Sequence, residues 1–168
     1  MKRDHFLTII LFFLTAATGY FVYIQYKNYS IENEYGKALQ INTLKNYNDF
    51  IEKYKNTKYS IKIAYYRDKK AFENATQIDT LEAYQDFLDS YPQSAWYRNV
   101  VYHRDRAALE RAKKERTLKS IVRFLKDYPH SSWLPQANHY LRHQFGFKSL
   151  SEAEECLPDY NEKTVSDQ

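Results

Sequence analysis

The sequence predicts an all-α fold: an N-terminal transmembrane helix followed by a short stack of about three helical hairpins. Three observations predict it. Phe6 to Ile24 is a run of 19 residues without a charge. From Thr43 to about His143 the chain repeats itself with a period of 37 residues, as stacked helical-repeat arrays do. Only 3 glycines and 4 prolines occur in 168 residues, too few for the many tight turns of an all-β fold.

As a helix, the run Phe6–Ile24 would extend about 28 Å at 1.5 Å per residue, close to the ~30 Å hydrocarbon core of a bilayer. Lys2 and Arg3 precede it, and Glu32 and Glu34 follow soon after Lys27. The positive-inside rule then keeps residues 1–5 cytoplasmic and carries the rest across. Tyr20, Tyr23, Tyr26 and Tyr29 cluster at the far end, where aromatic rings favour the headgroup zone. The transmembrane signal-anchor is placed at 6–26, with a linker or first helix at 27–42. A cleaved signal peptide is the competing reading, with Ala16-Ala17-Thr18-Gly19 as a small-residue site. The apolar run continues past that site through Phe21-Val22-Tyr23-Ile24, which favours the uncleaved anchor. Both readings put the repeats outside the cytoplasm: a single-pass inner-membrane protein in one case, a periplasmic protein in the other. No cysteine stands at the end of the run, so attachment as a lipoprotein is excluded.

Thr43-Leu44 returns as Thr80-Leu81 and Thr117-Leu118, Phe50 as Phe87 and Phe124, and Tyr54 as Tyr91 and Tyr128. Thr43–Ala75 and Thr80–Ala112 share twelve identities in 33 positions, and the units are placed at 43–79, 80–116 and 117–143. Leu81, Tyr84, Phe87, Leu88 and Tyr91 form the stripe of an amphipathic helix, as do their counterparts in the other two units. Asp79 with Glu82 three residues on predicts a capping box at the start of that helix. Pro92 and Pro129 predict its end. Ser94, and Ser131 or Ser132, are candidate caps of the second helix, which opens with Trp96 or Trp133 and with Tyr59 in the first unit. Ala71 and Ala75, matched by Ala108 and Ala112, allow a neighbouring helix to approach closely. The first unit has Lys55 where the others have proline, and Thr57 where they have serine. The last is cut short by Pro135 and by Gln144-Phe145-Gly146-Phe147, as expected of a terminal unit. A capping segment fills 144–157, with Ser151-Glu152-Ala153-Glu154 opening a closing helix to about Leu157. The acidic tail 158–168 is expected to be disordered.

The runs F-L-D-S-Y-P-Q-S-A-W and F-L-K-D-Y-P-H-S-S-W resemble the tetratricopeptide-like repeats of bacterial cell-envelope proteins, such as the outer-membrane assembly lipoprotein and the Tol-Pal-associated periplasmic protein. The resemblance spans Thr43 to about His143. The unit differs from the standard 34-residue repeat in its length of 37 and in lacking the glycine of the first helix. The resemblance implies a scaffold or adaptor at the envelope, with no catalytic residues to transfer.

The net charge of +4 is unevenly distributed. His103 to Lys126 holds nine Lys/Arg against Asp105, Glu110 and Glu115, while Ser151 to Gln168 holds six acids and only Lys163. The two segments can attract each other, or the basic one can form a binding face. His139 and His143 lie four apart, a spacing known in zinc sites, but no third ligand and no H-E-x-x-H pattern accompany them. Arg67-Asp68 and Arg104-Asp105 recur at one repeat phase, which predicts charge contacts between adjacent hairpins. Cys156, the only cysteine, has no evident base nearby and reads as an inert thiol. No glycine-rich phosphate loop, nucleophile elbow or nucleic-acid recognition motif is present. The expectation is a non-enzymatic, membrane-anchored adaptor without cofactor, metal, nucleic acid or small-molecule substrate. Its partners would be envelope proteins, contacted through exposed Tyr97, Tyr102 and Tyr140 and through Arg104, Arg111, Lys113 and Lys114. The alternative function is a basic face that binds anionic lipid or polymer.

Overall fold

The computed structural model describes residues 2–157; Met1 and the acidic tail 158–168 lie outside the described residues. Every regular element described is helical: α1 (Lys2–Ile41), α2 (Leu44–Lys53), α3 (Lys58–Ile78), α4 (Leu81–Ser90), α5 (Tyr97–Glu115), α6 (Leu118–Asp127), α7 (Leu134–Phe145) and α8 (150–157). They form two compact units, Met1–Lys70 and Ala71–Gln168.

In the first unit, α1 runs unbroken for 40 residues, about 60 Å at the rise of an α-helix. From Leu7 on it is long and apolar enough to cross a membrane, and its most apolar stretch is not buried by the rest of the chain. Of the two expectations for 27–42, linker or first helix, the segment is helical, and it is a direct continuation of α1 through Ile41. Ile31 and Ala38 of that continuation are buried with Tyr47 and Phe50 of α2 and Tyr59 and Ile63 of α3. The reason lies in side chains that occupy the repeat phase one unit earlier. Tyr35 packs against Phe50 and Tyr59, with ring centroids 6.1 and 5.3 Å apart. Thirty-seven residues on, in the second unit, Phe72 meets Phe87 at 6.4 Å and Trp96 at 5.5 Å. One period further, Leu109 is fully buried in the core that also holds Phe124 and Trp133. The end of α1 thus fills the place of a repeat's second helix.

The three first helices share one set of boundaries. Thr43, Thr80 and Thr117 have extended backbones, and each side chain accepts a hydrogen bond from the amide three residues on. Threonine is therefore the N-cap, and the expected role of Asp79 is corrected. Asp79 sits one residue outside the helix with φ 50°, as do Asn42 at 51° and Arg116 at 54°. Short polar Asn and Asp tolerate this left-handed conformation better than most side chains, whereas Arg116 adopts it without that advantage.

Tyr54, Tyr91 and Tyr128 are the C-caps, each amide donating to the carbonyl of the phenylalanine four residues earlier. The rings of each Phe–Tyr pair meet at 4.7, 5.1 and 5.1 Å. The stop has the same geometry whether proline or Lys55 follows, so the proline reinforces an end that the Phe–Tyr pair already marks. The expected serine caps of the second helices are corrected: Trp96 and Trp133 hold the N-cap positions with no side-chain cap bond. Ser94 and Ser131, not Ser132, shape the turns before them by accepting from the Trp96 and Trp133 amides. In the first unit Thr57 and Ser60 instead accept each other's amides in a reciprocal box.

In the second unit, α4, α5, α6 and α7 pack in sequence order. The core between α5, α6 and α7 buries Leu109, Ile121, Phe124, Ala137 and Leu141. The Ser120 hydroxyl donates a 2.7 Å bond to the Ala112 carbonyl and ties α6 to α5. Pro135 falls in the first turn of α7, where its missing amide costs nothing, and Gly146 ends the helix with φ 83°. The closing helix α8 begins two residues before the expected box. Ser149 caps the Glu152 amide, and the Glu152 carboxylate accepts from the Lys148 amide.

Candidate interaction surface

Four of the seven residues expected at a partner surface take part in holding the second unit together, each through a definite contact. Arg104 forks onto Asp105, its Nε and Nη2 donating to one carboxylate oxygen at 3.0 and 2.7 Å. Asp105 is only 3% exposed, so the guanidinium neutralises a carboxylate that would otherwise be costly to bury. Arg67 binds Asp68 in the same way. These recurrent ion pairs close between sequence neighbours on one helix, so the carboxylates do not carry the expected charge contact between hairpins. What crosses from α5 to the next hairpin is the Arg104 guanidinium itself, 5.3 Å from the centre of the Tyr128 ring.

Arg111 is paired with Glu82 of α4, and Lys113 with Glu110 at 2.9 Å. Tyr140, expected to be exposed, is half-buried. Its ring packs on the α5–α7 core beside Phe145, and its hydroxyl donates to the Lys113 carbonyl at 3.4 Å.

The other three remain open to solvent. Tyr97 opens α5 and is 39% exposed. Tyr102 is 46% exposed although Trp133 leans on it, with ring centroids 5.1 Å apart and the indole N–H donating to the Tyr102 carbonyl at 3.1 Å. Lys114 makes no ion pair among the described residues. It borders a cleft of about 490 Å³ between the start of α4 and the middle of α5, with Thr80, Glu82, Arg106, Arg111 and Trp133.

The basic segment is therefore less basic in space than in sequence. Five of its nine cations are paired: Arg104 with Asp105, Arg106 with Asp79, Arg111 with Glu82, Lys113 with Glu110 and Lys126 with Glu154. The last pair, at 2.9 Å, joins the basic middle to the acidic end, one of the two outcomes the charge pattern allowed.

His103 escaped the sequence reading. It is enclosed by Phe72 at 5.5 Å, Tyr84 at 5.7 Å and Tyr102 at 5.6 Å, and its buried Nδ1 has no hydrogen-bond partner among the described residues. Burial, and next the Arg106 charge, hold its pKa below the usual histidine value, against an opposing pull from Asp79. The available signal was positional: tyrosine occupies the same phase in the flanking units, as Tyr66 and Tyr140.

The rings of His139 and His143 lie 4.1 Å apart on α7. Among the described residues no three His, Cys, Asp or Glu side chains are grouped so as to hold a metal ion. Cys156 lies half-buried on α8. Compared against protein-family models, curated proteins and solved structures, the chain matches none.

Proposed function

We propose that the chain is a membrane-anchored adaptor whose helical repeats hold partner proteins of the cell envelope close to the bilayer. The observation that carries this reading is the double duty of α1: one uninterrupted helix supplies an apolar span and then the buried side chains Ile31, Tyr35 and Ala38 of the first hairpin. A helix used in this way favours a retained anchor over a cleaved signal, since cleavage near Ala17 would leave a long exposed helical stub bearing Phe21, Tyr23, Tyr26 and Tyr29. With Lys2 and Arg3 ahead of the span, the repeats lie on the extracytoplasmic side of the inner membrane. The resemblance of the Tyr-Pro runs to tetratricopeptide-like envelope repeats supports the same reading.

In this reading the contact surface is narrower than composition suggests. Tyr97, the open edge of Tyr102 and Lys114 are its members, while Arg104, Arg111, Lys113 and Tyr140 stabilise the fold that presents them. Tyrosine combines apolar area with a hydrogen-bonding tip and is favoured in protein interfaces. The test is a photo-crosslinking amino acid at Tyr97 or Lys114 in intact cells, followed by mass spectrometry. Discrete adducts with an extracytoplasmic protein, absent when the probe replaces buried Leu141, are expected. Only lipid or random adducts at both surface positions would overturn the adaptor reading.

A further inference from the structure

We propose that the turn between α2 and α3 is a second membrane contact, resting on anionic phospholipid headgroups beside the point where α1 leaves the bilayer. This rests on the reading of α1 as a retained span and adds a surface that the span alone does not require.

The placement follows from contacts within the first unit. α1 leaves its apolar run at Ile24, and Glu34 lies ten residues further, about 15 Å along the axis. α2 returns antiparallel to α1. The Tyr47 hydroxyl bonds Asn42, the Phe50 ring meets Tyr35, and Lys53 reaches Glu34 at 3.8 Å. The chain then reverses through Asn56, left-handed at φ 63°, and α3 starts with Tyr59 packed on Tyr35 at 5.3 Å. The turn 54–57 and the first turn of α3 therefore form the end of the hairpin nearest the bilayer. The headgroup layer adds about 5–8 Å beyond the hydrocarbon, and a typical helix tilt of about 20° brings one side of the hairpin closer. Long lysine side chains from this end come within a Debye length, ~8 Å, of the phosphates.

The chemistry of the turn suits that surface. Lys53-Tyr54-Lys55-Asn56-Thr57-Lys58-Tyr59-Ser60-Ile61-Lys62 carries four lysines and no acid. All four lysines are exposed, and among the described residues Lys55, Lys58 and Lys62 make no ion pair. Between Lys58 and Lys62 stands Ile61, 75% exposed. An isoleucine held in water between lysines is the pairing that an interface rewards: the apolar side chain enters the headgroup boundary and the ammonium groups stay at phosphate level. Of the nearest acids, Glu34 pairs with Lys37 and with Lys53 of the turn itself, and Asp49 pairs with Lys45 at 2.7 Å. Glu32 and Glu52 are the exposed acids left to oppose Lys55, Lys58 and Lys62.

The test uses the full chain, Cys156→Ser, with Ile61→Cys labelled by an environment-sensitive fluorophore and reconstituted into phosphatidylcholine vesicles, with or without about 30% phosphatidylglycerol. In the anionic vesicles, emission is expected to shift to the blue and iodide quenching to fall about twofold. Both effects should reverse in about 0.5 M salt and vanish in Lys55→Glu/Lys58→Glu/Lys62→Glu. A label at Gln40→Cys, about 24 Å along α1 from Ile24, should respond to neither change. Equal quenching at position 61 in both vesicle types, unaffected by charge reversal, overturns the contact. Alkaline extraction of the same vesicles separates the two readings: release of the chain overturns the span, whereas retention with unchanged quenching overturns only the turn contact.

Discussion

The Tyr84 hydroxyl donates a 2.7 Å hydrogen bond to the Asp79 carboxylate, which the left-handed backbone of Asp79 turns back over α4. The same bond joins Tyr47 to Asn42 at 2.9 Å, one period earlier. In the third unit both partners change together: Arg116 replaces the Asn or Asp, and Ile121 replaces the tyrosine. The ring can go where the polar cap has gone, because no buried hydroxyl then lacks an acceptor.

Tyr84→Phe is expected to lower stability by about 1 kcal/mol, at the low end for a bond to a charged acceptor because Asp79 is half exposed. Urea unfolding followed by circular dichroism measures it. The variant also has a pH signature. Burial, then the bond to Asp79, pushes the Tyr84 hydroxyl up to about 12 from 10.0. A group held protonated by the fold contributes fully below pH 10 and loses that contribution as pH climbs toward 12. The Asp79 carboxyl is lowered, by the Tyr84 bond first, so its contribution is present above the unfolded value of 3.8 and is lost as pH falls below it. Both limbs of the stability profile should flatten in Tyr84→Phe. Unchanged limbs would show that the hydroxyl is not coupled to folding.

His103 gives an acid dependence of the opposite origin. Its pKa is lowered in the fold, so the unfolded chain takes up a proton first, and stability that is complete above pH 6.5 declines as pH falls through that value. The groups facing it are Phe72 from α3, Tyr84 from α4, Tyr102 and Arg106 from α5, and Asp79 at the turn. Replacement by the tyrosine of the neighbouring units, His103→Tyr, is expected to reduce the drop in melting temperature between about pH 7.5 and 5.5. An equal drop in variant and wild type would assign the acid sensitivity to other groups.

The caps predict a simple asymmetry. Thr80→Ala removes the acceptor of the Ala83 amide and is expected to cost about 1 kcal/mol. Asp79→Asn should cost less, since Asn42 performs the same turn in the first unit. A larger loss for Asp79→Asn would restore aspartate as the cap. Denaturation midpoints of the two variants decide it.

That asymmetry also shows where sequence reasoning stops. Apolar periodicity and the Tyr-Pro turns locate the hairpins because both are local: the stripe and the stop lie within a dozen residues. Asp-x-x-Glu also looks local, yet the threonine beside it wins the cap, because Asp79 is engaged by Tyr84 and Arg106 and Glu82 by Arg111. Arg106 and Arg111 come from 27 and 29 residues away, and Lys126 meets Glu154 across a similar distance, so the charge balance of α5 and α6 is a tertiary property. The repeat phase in α1 was partly legible, since Gln40-Ile41-Asn42-Thr43-Leu44 anticipates Gln77-Ile78-Asp79-Thr80-Leu81. It is hidden upstream because Tyr35, Phe72 and Leu109 conserve bulk and position but not identity.

The continuity of α1 is open to direct measurement. Nothing between Ile24 and Ile31 favours a break: Gln25-Tyr26-Lys27-Asn28-Tyr29-Ser30 contains neither proline nor glycine, and every residue is helical. These residues are exposed, however, so the segment is held by its own backbone and by its two ends: the bilayer on one side and the buried Ile31 on the other. Spin labels at Gln25→Cys and Gln40→Cys in a Cys156→Ser background should therefore report one narrow distance near 22 Å, the span of fifteen residues at helical rise. Ser30→Pro should broaden that distribution while leaving the cores built on Tyr47, Phe50 and Ile63 intact, because it removes one backbone bond and no buried side chain. A broad or markedly shorter distance in the unsubstituted helix would mean that the anchor and the first hairpin move independently. In that case the rigid approach of the lysine turn to the bilayer would be lost with it.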